Sequence, residues 1–157
     1  MKHKQITTCL WFDDQAHDAA KFYTDLFQGE IKDINYYTTD TPSEKEVGSI
    51  LSVNFNILNQ DFMGLNGGPE FHFSESVSFV IECDDQTEID YYWSKLSSVK
   101  EAEACGWCKD KFGISWQIIP ANLSELLDHQ NPLKSEEAMK LLLTMKKIEI
   151  EPFLFLK

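Results

Sequence analysis

Two stretches of the sequence repeat one pattern: a short apolar strand, an Asp-Asp-Gln triplet and an aromatic-rich helix. The first is LWFDDQAHDAAKFYTDL at residues 10–26, and the second is VIECDDQTEIDYYWSKL at residues 80–96. An internal repeat predicts two copies of one structural unit, here about 70 residues apart. Few letters are identical and aspartate is common at helix N-termini, so two unrelated strand-to-helix turns are the alternative.

Hydrophobic periodicity predicts the elements around these repeats. Asp13-Asp14 and Asp84-Asp85 are predicted to cap the two helices, and Gly29 to end the first one. The order favours an α+β fold with two βαβββ modules, at about 5–67 and 76–120, in a single domain that spans 1–157. Strands are predicted at 5–12, 30–38, 51–57, 61–66, 77–83, 102–108 and 114–119, with a weak further strand before residue 102, and helices at 15–27 and 87–96.

After Pro120 the predicted strands are followed by a helical pattern and an apolar tail. Ser135 is predicted to cap a helix whose apolar positions are 138, 141, 142 and 145. Phe153 to Leu156 is an uninterrupted apolar tail, which a monomer rarely leaves in water. We expect this C-terminal extension, residues 121–157, to pack back on the protein or to dock on a second copy.

The net charge of −12 limits the classes of partner. Such an acidic surface repels phosphate groups, so the sequence predicts no binding to nucleic acid or to an anionic membrane. No apolar run reaches the length of a membrane span, and no signal-peptide core precedes Asp13. We therefore expect a cytoplasmic protein with reduced cysteines.

Cys105 and Cys108 form a CxxC motif, which is found in zinc and redox sites. A zinc site needs a second pair of ligands, and Cys9 and Cys83 are isolated in the sequence. A redox pair lies at a helix N-terminus, whereas this motif falls in a predicted strand or turn. Ordinary packing cysteines are therefore favoured over a redox or metal site.

Four segments resemble the vicinal oxygen chelate superfamily of glyoxalases, bleomycin-resistance proteins and extradiol dioxygenases. They are LWFDDQAHDAAKFYTDLF (10–27), FMGLNGGPEFHFSESVSFVIECDD (62–85), CGWCKDKFGISWQIIP (105–120) and MKKIEI (145–150). More narrowly, the chain is similar to the PhnB-like branch, also labelled demethylubiquinone methyltransferase-like. The resemblance implies a glyoxalase-like fold, with curled mixed sheets around a cleft, and a homodimer.

Enzymes of this superfamily hold a divalent metal with His and Glu side chains of strands one, four, five and eight. By the resemblance, these positions fall near Thr7, at Met63 or Gly64, near Ser78 and at Gln117. None is a histidine or a carboxylate, and hydroxyl and amide groups alone bind such cations poorly. We therefore expect no metal and no cofactor.

Whether the sequence supports a methyltransferase activity can be tested on its glycines. A classical enzyme that binds S-adenosylmethionine has a glycine-rich turn after its first strand. Here the first strand ends in Phe12-Asp13-Asp14, while Gly67-Gly68 is followed by Pro69 and a loop. These residues do not support the label.

Large flat side chains and amides on the predicted inner strands are the candidates for a ligand site. Trp116 and Gln117 face opposite sides of a regular strand, so Trp116 is predicted to pack under the helices. The alternative for each tryptophan is core or interface packing. The candidates for the cleft are Trp11, Asn66, His72, Trp107 and Gln117.

Three functions remain open from the sequence. The first is metal-free binding of a small molecule in the cleft of a homodimer. The second is an enzyme of the lyase, isomerase or dioxygenase type with a non-standard site, acting through His72 or Glu70 or through metal ligands in other positions. The third is a scaffold whose cleft is filled by its own side chains. No catalytic residue can be assigned.

Overall fold

Seven strands and five α-helices account for most of the regular structure in the described part of the chain, residues 6–39, 45–128 and 130–156 of a computed structural model. The chain divides into two units, Met1–His72 and Phe73–Lys157, and this boundary falls between the two predicted modules. The elements are β1 (Thr8–Phe12), α1 (Ala16–Phe27), β2 (Glu30–Tyr36), β3 (Ile50–Ile57), β4 (Gln60–Asn66), β5 (Ser78–Cys83), α2 (Gln86–Leu96), a 3-10 helix (Lys100–Ala102), β6 (Trp107–Lys109), β7 (Ser115–Pro120), α3 (Leu123–Leu126), α4 (Pro132–Thr144) and α5 (Glu151–Leu154).

The described residues of the first unit form a four-stranded mixed sheet in the order β1-β4-β3-β2, with α1 packed on one face. β1 runs parallel to β4, and the other neighbours are antiparallel. Alternate residues of the strands face α1, where Phe55 stacks against Tyr23 and Phe62. Gly64 faces α1 too, because a Cβ there would lie 3.1 Å from the Ala16 Cβ. We call the opposite face the distal face of the first sheet.

Asn66, at the end of β4, joins the start of α1 to the sheet. Its side-chain Oδ1 accepts a hydrogen bond from the Ala16 backbone N–H at 2.9 Å, and its Nδ2 donates to the Ile50 carbonyl at 3.0 Å. The N-cap is Gln15 and makes no side-chain cap bond, so the predicted cap from Asp13-Asp14 is wrong. Because Asn66 lies beside Phe12 in the parallel pair, its amide reaches the helix start.

The end of α1 also differs in detail from the prediction. Gln28, rather than Gly29, takes the left-handed conformation that ends the helix, with φ of 54°. Gly29 is required for another reason: a Cβ there would lie 2.1 Å from the Asn56 carbonyl oxygen. A close approach of two backbones therefore explains this glycine.

The second unit contains a three-stranded sheet in the order β5-β7-β6, with β5 parallel and β6 antiparallel to β7. Here the predicted N-cap is confirmed, since the Asp85 side chain accepts from the Glu88 N–H at 3.0 Å. Ile89 and Leu96 of α2 are fully buried, as is Ile118 of β7. The sheet face opposite α2 is called the distal face of the second sheet.

The α+β class is confirmed, but the second module has three strands where four were expected. The predicted strand at 102–108 is reduced to β6, preceded by the 3-10 helix and one bridge between Ala104 and Trp107. Cys105 and Gly106 both have positive φ, of 52° and 86°. Two successive left-handed residues reverse the chain, which no regular strand permits.

The C-terminal extension is part of the second unit and has a small apolar core of its own. α4 begins at Pro132 with Asn131 as its N-cap, not at Ser135 as predicted. In the tail, Phe153 is buried, while Leu154 and Phe155 are 67% and 72% exposed. The core consists of Leu127, Ala138, Leu142, Ile148 and Phe153.

The side chain of Gln86, the first residue of α2, holds this extension in place. Its Nε2 donates to the Ile148 carbonyl at 3.0 Å, and its Oε1 accepts from the Ile150 N–H at 2.9 Å. On the neighbouring turn, the Cys105 and Gly106 N–H groups donate to the carbonyls of residues 145 and 146. The extension is thus bonded to the second module through its backbone.

We expect Asn66→Ala to lower the free energy of unfolding by about 3 kcal/mol. The substitution leaves the Ala16 N–H and the Ile50 carbonyl without their side-chain hydrogen-bond partner. Urea denaturation followed by circular dichroism measures this loss. The control is Asn54→Ala, whose amide bonds Asp33 near the surface and which should cost about 0.5 kcal/mol or less. Equal losses in the two variants would contradict the role given to Asn66.

Candidate functional site

The distal face of the first sheet carries sulfur and apolar side chains on two adjacent strands. Cys9 and Trp11 of β1 lie in register with Met63 and Leu65 of β4. Cys9 is exposed, and the other three are partly buried. This half of the face is suited to contact with an apolar or aromatic surface.

Trp11, one of the predicted site residues, is fixed within this unit by the turn after β4. Its indole Nε1 donates to the Gly68 carbonyl at 2.8 Å, and its ring meets Phe71 edge-on with centroids 4.9 Å apart. A Cβ on Gly67 would lie 2.2 Å from the indole ring. The Trp11 side chain is therefore held in place by the close approach of Gly67 and by its hydrogen bond to the Gly68 carbonyl, so its indole N–H already has an acceptor.

Two other predicted site residues of this unit are placed differently. Asn66 is 5% exposed and lies on the α1 side of the sheet, where its amide joins the helix start to β3. Its position at the end of β4 makes Asn66 a candidate for the cleft, but position along the strand alone does not determine which face a side chain takes. His72 is exposed at the end of the unit.

The polar half of this face consists of amides bound to carboxylates. Asn54 Nδ2 donates to Asp33 at 3.0 Å, and Asn56 Nδ2 donates to Asp61 at 2.6 Å. Lys32 also binds Asp61, which raises the pKa of the lysine mainly through that hydrogen bond. Each of these two carboxylates therefore accepts a hydrogen bond from an amide, and Asp61 also has a cationic partner.

The distal face of the second sheet brings Gln117 and Ser78 together. Gln117 Nε2 donates to the Ser78 Oγ at 2.9 Å across the parallel pair of β7 and β5. Trp107 of β6 lies in register with Gln117, and Val80 of β5 lies on its other side. The structure thus places Trp107 and Gln117, both predicted site residues, side by side on one face, and both are partly buried.

The next row of the same face is Ser78, Ser115 and Lys109. Ser115 is 2% exposed, and its Oγ has no hydrogen-bond partner among the described residues. Lys109 forms an ion pair with Glu75, whose pKa is lowered mainly by that hydrogen bond. None of Ser115, Lys109 and Glu75 is among the residues predicted from the sequence, although strand alternation puts Ser115 on the same face as Gln117.

Trp116 faces the other way, as predicted, and is 4% exposed. Its indole Nε1 donates to the Asp110 carboxylate at 2.8 Å. Asp110 is 1% exposed and also accepts from the N–H groups of Phe112 and Ile114, at 2.9 and 3.0 Å. This buried carboxylate fixes the turn that leads into β7, and so sets the register of Ser115 and Gln117.

The CxxC motif serves packing in this structure. Cys108 is 1% exposed, and burial raises the pKa of its thiol to about 12. Cys105 lies in the left-handed turn that binds the C-terminal extension, and its side chain packs against the core of that extension. A redox dithiol needs a depressed pKa, so the environment of Cys108 opposes that role.

The residues at the superfamily's metal positions do not fit a divalent cation. Of the pair considered on β4, Met63 faces distally and Gly64 faces α1. On the second sheet, Ser78 and Gln117 are neutral and bonded to each other. Within residues 6–39, 45–128 and 130–156, no group of three His, Cys, Asp or Glu side chains is arranged to hold a metal.

A cavity of about 490 Å³ lies elsewhere in the second unit, at the start of α2. None of the five predicted site residues lines it. Its wall is made of four carboxylates, two amides and two aliphatic side chains: Asp84, Asp85, Glu149, Glu151, Gln86, Asn122, Ile150 and Leu154.

Comparison with known proteins assigns the family. The family model described as 3-demethylubiquinone-9 3-methyltransferase matches residues 4–119. The chain belongs to this family. A PhnB protein of Bacillus cereus, named for the same methyltransferase, is 31% identical to it with a TM-score of 0.63, over 75% of this chain and all of that one.

A second solved structure, of a Pseudomonas aeruginosa protein, supports the fold alone. It is 16% identical with a TM-score of 0.55, over 75% of this chain and 98% of that one. The family model and the Bacillus cereus structure confirm the predicted PhnB-like branch of the vicinal oxygen chelate superfamily, and with it the glyoxalase-like fold. No curated protein matches the chain. Among the described helices, none has both the length and the apolar character needed to cross a membrane.

Native thiol labelling tests the assignment of the cysteines. Cys83 and Cys108 are buried and have thiol pKa values raised to about 12, so both stay protonated at pH 8. We expect iodoacetamide at pH 8 to modify Cys9, which is exposed, and to leave Cys83 and Cys108 unmodified. Peptide mass spectrometry reads the sites, and labelling in urea is the control that all thiols can react. Fast modification of native Cys108 would contradict the packing role.

Proposed function

We propose that this family member binds a small organic molecule without a metal ion, on the distal face of the second sheet. The observation that carries the proposal is the hydrogen bond of 2.9 Å between Gln117 and Ser78. These two residues occupy positions where the superfamily's enzymes place metal ligands. A neutral amide and a hydroxyl that satisfy one another are poor ligands for a hard or borderline cation.

The same residues are well suited to orient a ligand. The bond to Ser78 uses one N–H of Gln117, and a glutamine amide has a second N–H and a carbonyl oxygen as well. Trp107 lies beside Gln117 and offers a large flat apolar surface. A flat platform next to a few polar groups is the usual composition of a small-molecule site.

The methyltransferase activity in the family's name finds no support in these residues. β1 runs into Asp13 and Asp14, not into the glycine-rich turn that cradles a nucleotide-like cofactor. The glycines after β4 are engaged differently, because Gly67 lies under the Trp11 ring and Gly68 accepts its N–H. Binding is therefore the function that we extend to this chain.

A homodimer in the cytoplasm is the setting we propose for this binding. Leu154 and Phe155 remain exposed at the end of the C-terminal extension, which supports an apolar contact between copies. The four cysteines are free thiols, as a reducing compartment requires.

Binding is tested with benzamide, an uncharged aromatic probe, on protein purified without chelators. We expect metal analysis to find far less than one ion per chain, and benzamide to shift the NMR signals of the Trp107 indole and the Gln117 amide. Gln117→Ala should weaken binding about five- to tenfold, since one net hydrogen bond is worth about 1 kcal/mol. The control is Gln60→Ala, at the start of β4 in the other unit, which should bind benzamide normally. Stoichiometric zinc, iron, nickel or manganese, or NMR signals that benzamide leaves unchanged, would refute the proposal.

The dimer is tested by sedimentation equilibrium at micromolar concentration. We expect a species of twice the 18.1 kDa chain mass. A double variant, Leu154→Ser with Phe155→Ser, should shift it toward the monomer, because it removes exposed apolar area. The matched control is Leu133→Ser, which removes a side chain that is 77% exposed near the start of α4. A wild-type protein that sediments only as a single chain would rule out the dimer.

A further inference from the structure

The row of side chains next to Gln117 contains a hydroxyl that the fold itself does not use. Ser115 is 2% exposed, and its Oγ has no hydrogen-bond partner within the described residues. Leaving a buried polar group unpaired costs about 1–3 kcal/mol, so native proteins rarely do so without a reason. A group supplied from outside the chain would remove that cost.

The neighbours of Ser115 show what kind of group would suit it. In the register of the sheet, Ser115 lies between Ser78 and Lys109, which places two hydroxyls and an ammonium in one row. The Lys109 side chain is only 22% exposed. Hydroxyls and an ammonium are all hydrogen-bond donors, and together they match an oxyanion.

Lys109 already holds a carboxylate, which comes from a segment outside the sheet. Glu75 precedes β5, and its side chain is 62% exposed while it pairs with Lys109. Ion pairs with one exposed partner contribute about 0.2–1 kcal/mol, so an incoming anion can replace Glu75 at small cost. Glu75 therefore marks the position of an oxyanion on Lys109.

We infer that the ligand of the second sheet carries an oxyanion, a carboxylate or a phosphonate, which binds Lys109 and the Ser115 hydroxyl in place of Glu75. This inference rests on the proposed function, because it describes one end of the same ligand. The other end of the ligand lies over Trp107 and meets the Gln117 amide. The ligand class is thus a flat organic acid.

The acidity of the whole protein does not oppose this inference. The net charge is −12, but charges are screened over about 8 Å at physiological ionic strength. Within that distance, the ammonium of Lys109 and the hydroxyls in its row favour an anionic ligand over a neutral one. The Glu75→Gln variant also removes the negative charge nearest to the ammonium.

The experiment compares two probes of one shape, benzoate and benzamide, by calorimetry and by the NMR signals of Trp107 and Gln117. We expect benzoate to bind the wild type more tightly than benzamide. Glu75→Gln should tighten benzoate about two- to fivefold, the equivalent of an exposed ion pair, and leave benzamide unchanged. Lys109→Met should remove the preference for benzoate. Glu125→Gln, in α3, is the control for the change in net charge.

Ser115→Ala gives a second test that changes no charge and does not depend on the Lys109 variant folding. It should weaken benzoate severalfold without lowering the free energy of unfolding, since the hydroxyl has no partner in the described chain. The inference is overturned if the two probes bind alike and neither Glu75→Gln nor Ser115→Ala changes the benzoate affinity. In that result, benzamide shifts at Trp107 and Gln117 would still support the proposed function. If neither probe shifts these signals, both proposals fail.

Discussion

The candidate site depends on a single buried carboxylate. Asp110 accepts hydrogen bonds from two backbone N–H groups of its own turn and from the indole of Trp116. A carboxyl group with almost no exposure is tolerated only when donors surround it; here two donors belong to its own turn and the third to the strand that follows. The turn and β7 are therefore tied together, with the tryptophan on one face of the strand and Gln117 on the other. The side-by-side tryptophan and glutamine serve two purposes: one anchors the strand and the other faces the site.

Much of this fold can be predicted from the sequence, because periodicity and turn residues determine it locally. The alternation in Leu51, Val53, Phe55 and Ile57 predicts β3, and the spacing of alanines and aromatics predicts α1. Contacts between distant segments could not be predicted. Asn66 is an example: its amide caps a helix 50 residues earlier in the chain, which becomes evident only when β1 and β4 are paired. The prediction of a strand at 102–108 is wrong for a similar reason, because the chain reverses at Cys105 and bonds to the C-terminal extension.

The candidate site, too, has features that the sequence predicts and features that only the pairing of strands determines. The face of Gln117, and the opposite face of Trp116, follow from strand alternation alone. That Gln117 bonds Ser78, and that Lys109 and Ser115 share a row, depends on which strands are neighbours. A sequence gives the composition of each face but not the order of strands across it. Site residues that lie in one row across neighbouring strands, such as Lys109 and Ser115, therefore could not be predicted from the sequence.

The two copies of the Asp-Asp-Gln repeat have taken on different duties. In the first, Gln15 is an exposed residue at a helix start that is capped from elsewhere. In the second, Asp85 caps the helix, and Gln86 grips the backbone of the C-terminal extension with both ends of its amide. A protein that ended at residue 120 would leave this amide, and the turn at Cys105 and Gly106, without the partners they bind here. One glutamine of a repeated sequence pattern thus makes the last quarter of the polypeptide an integral piece of the second half rather than a removable appendage.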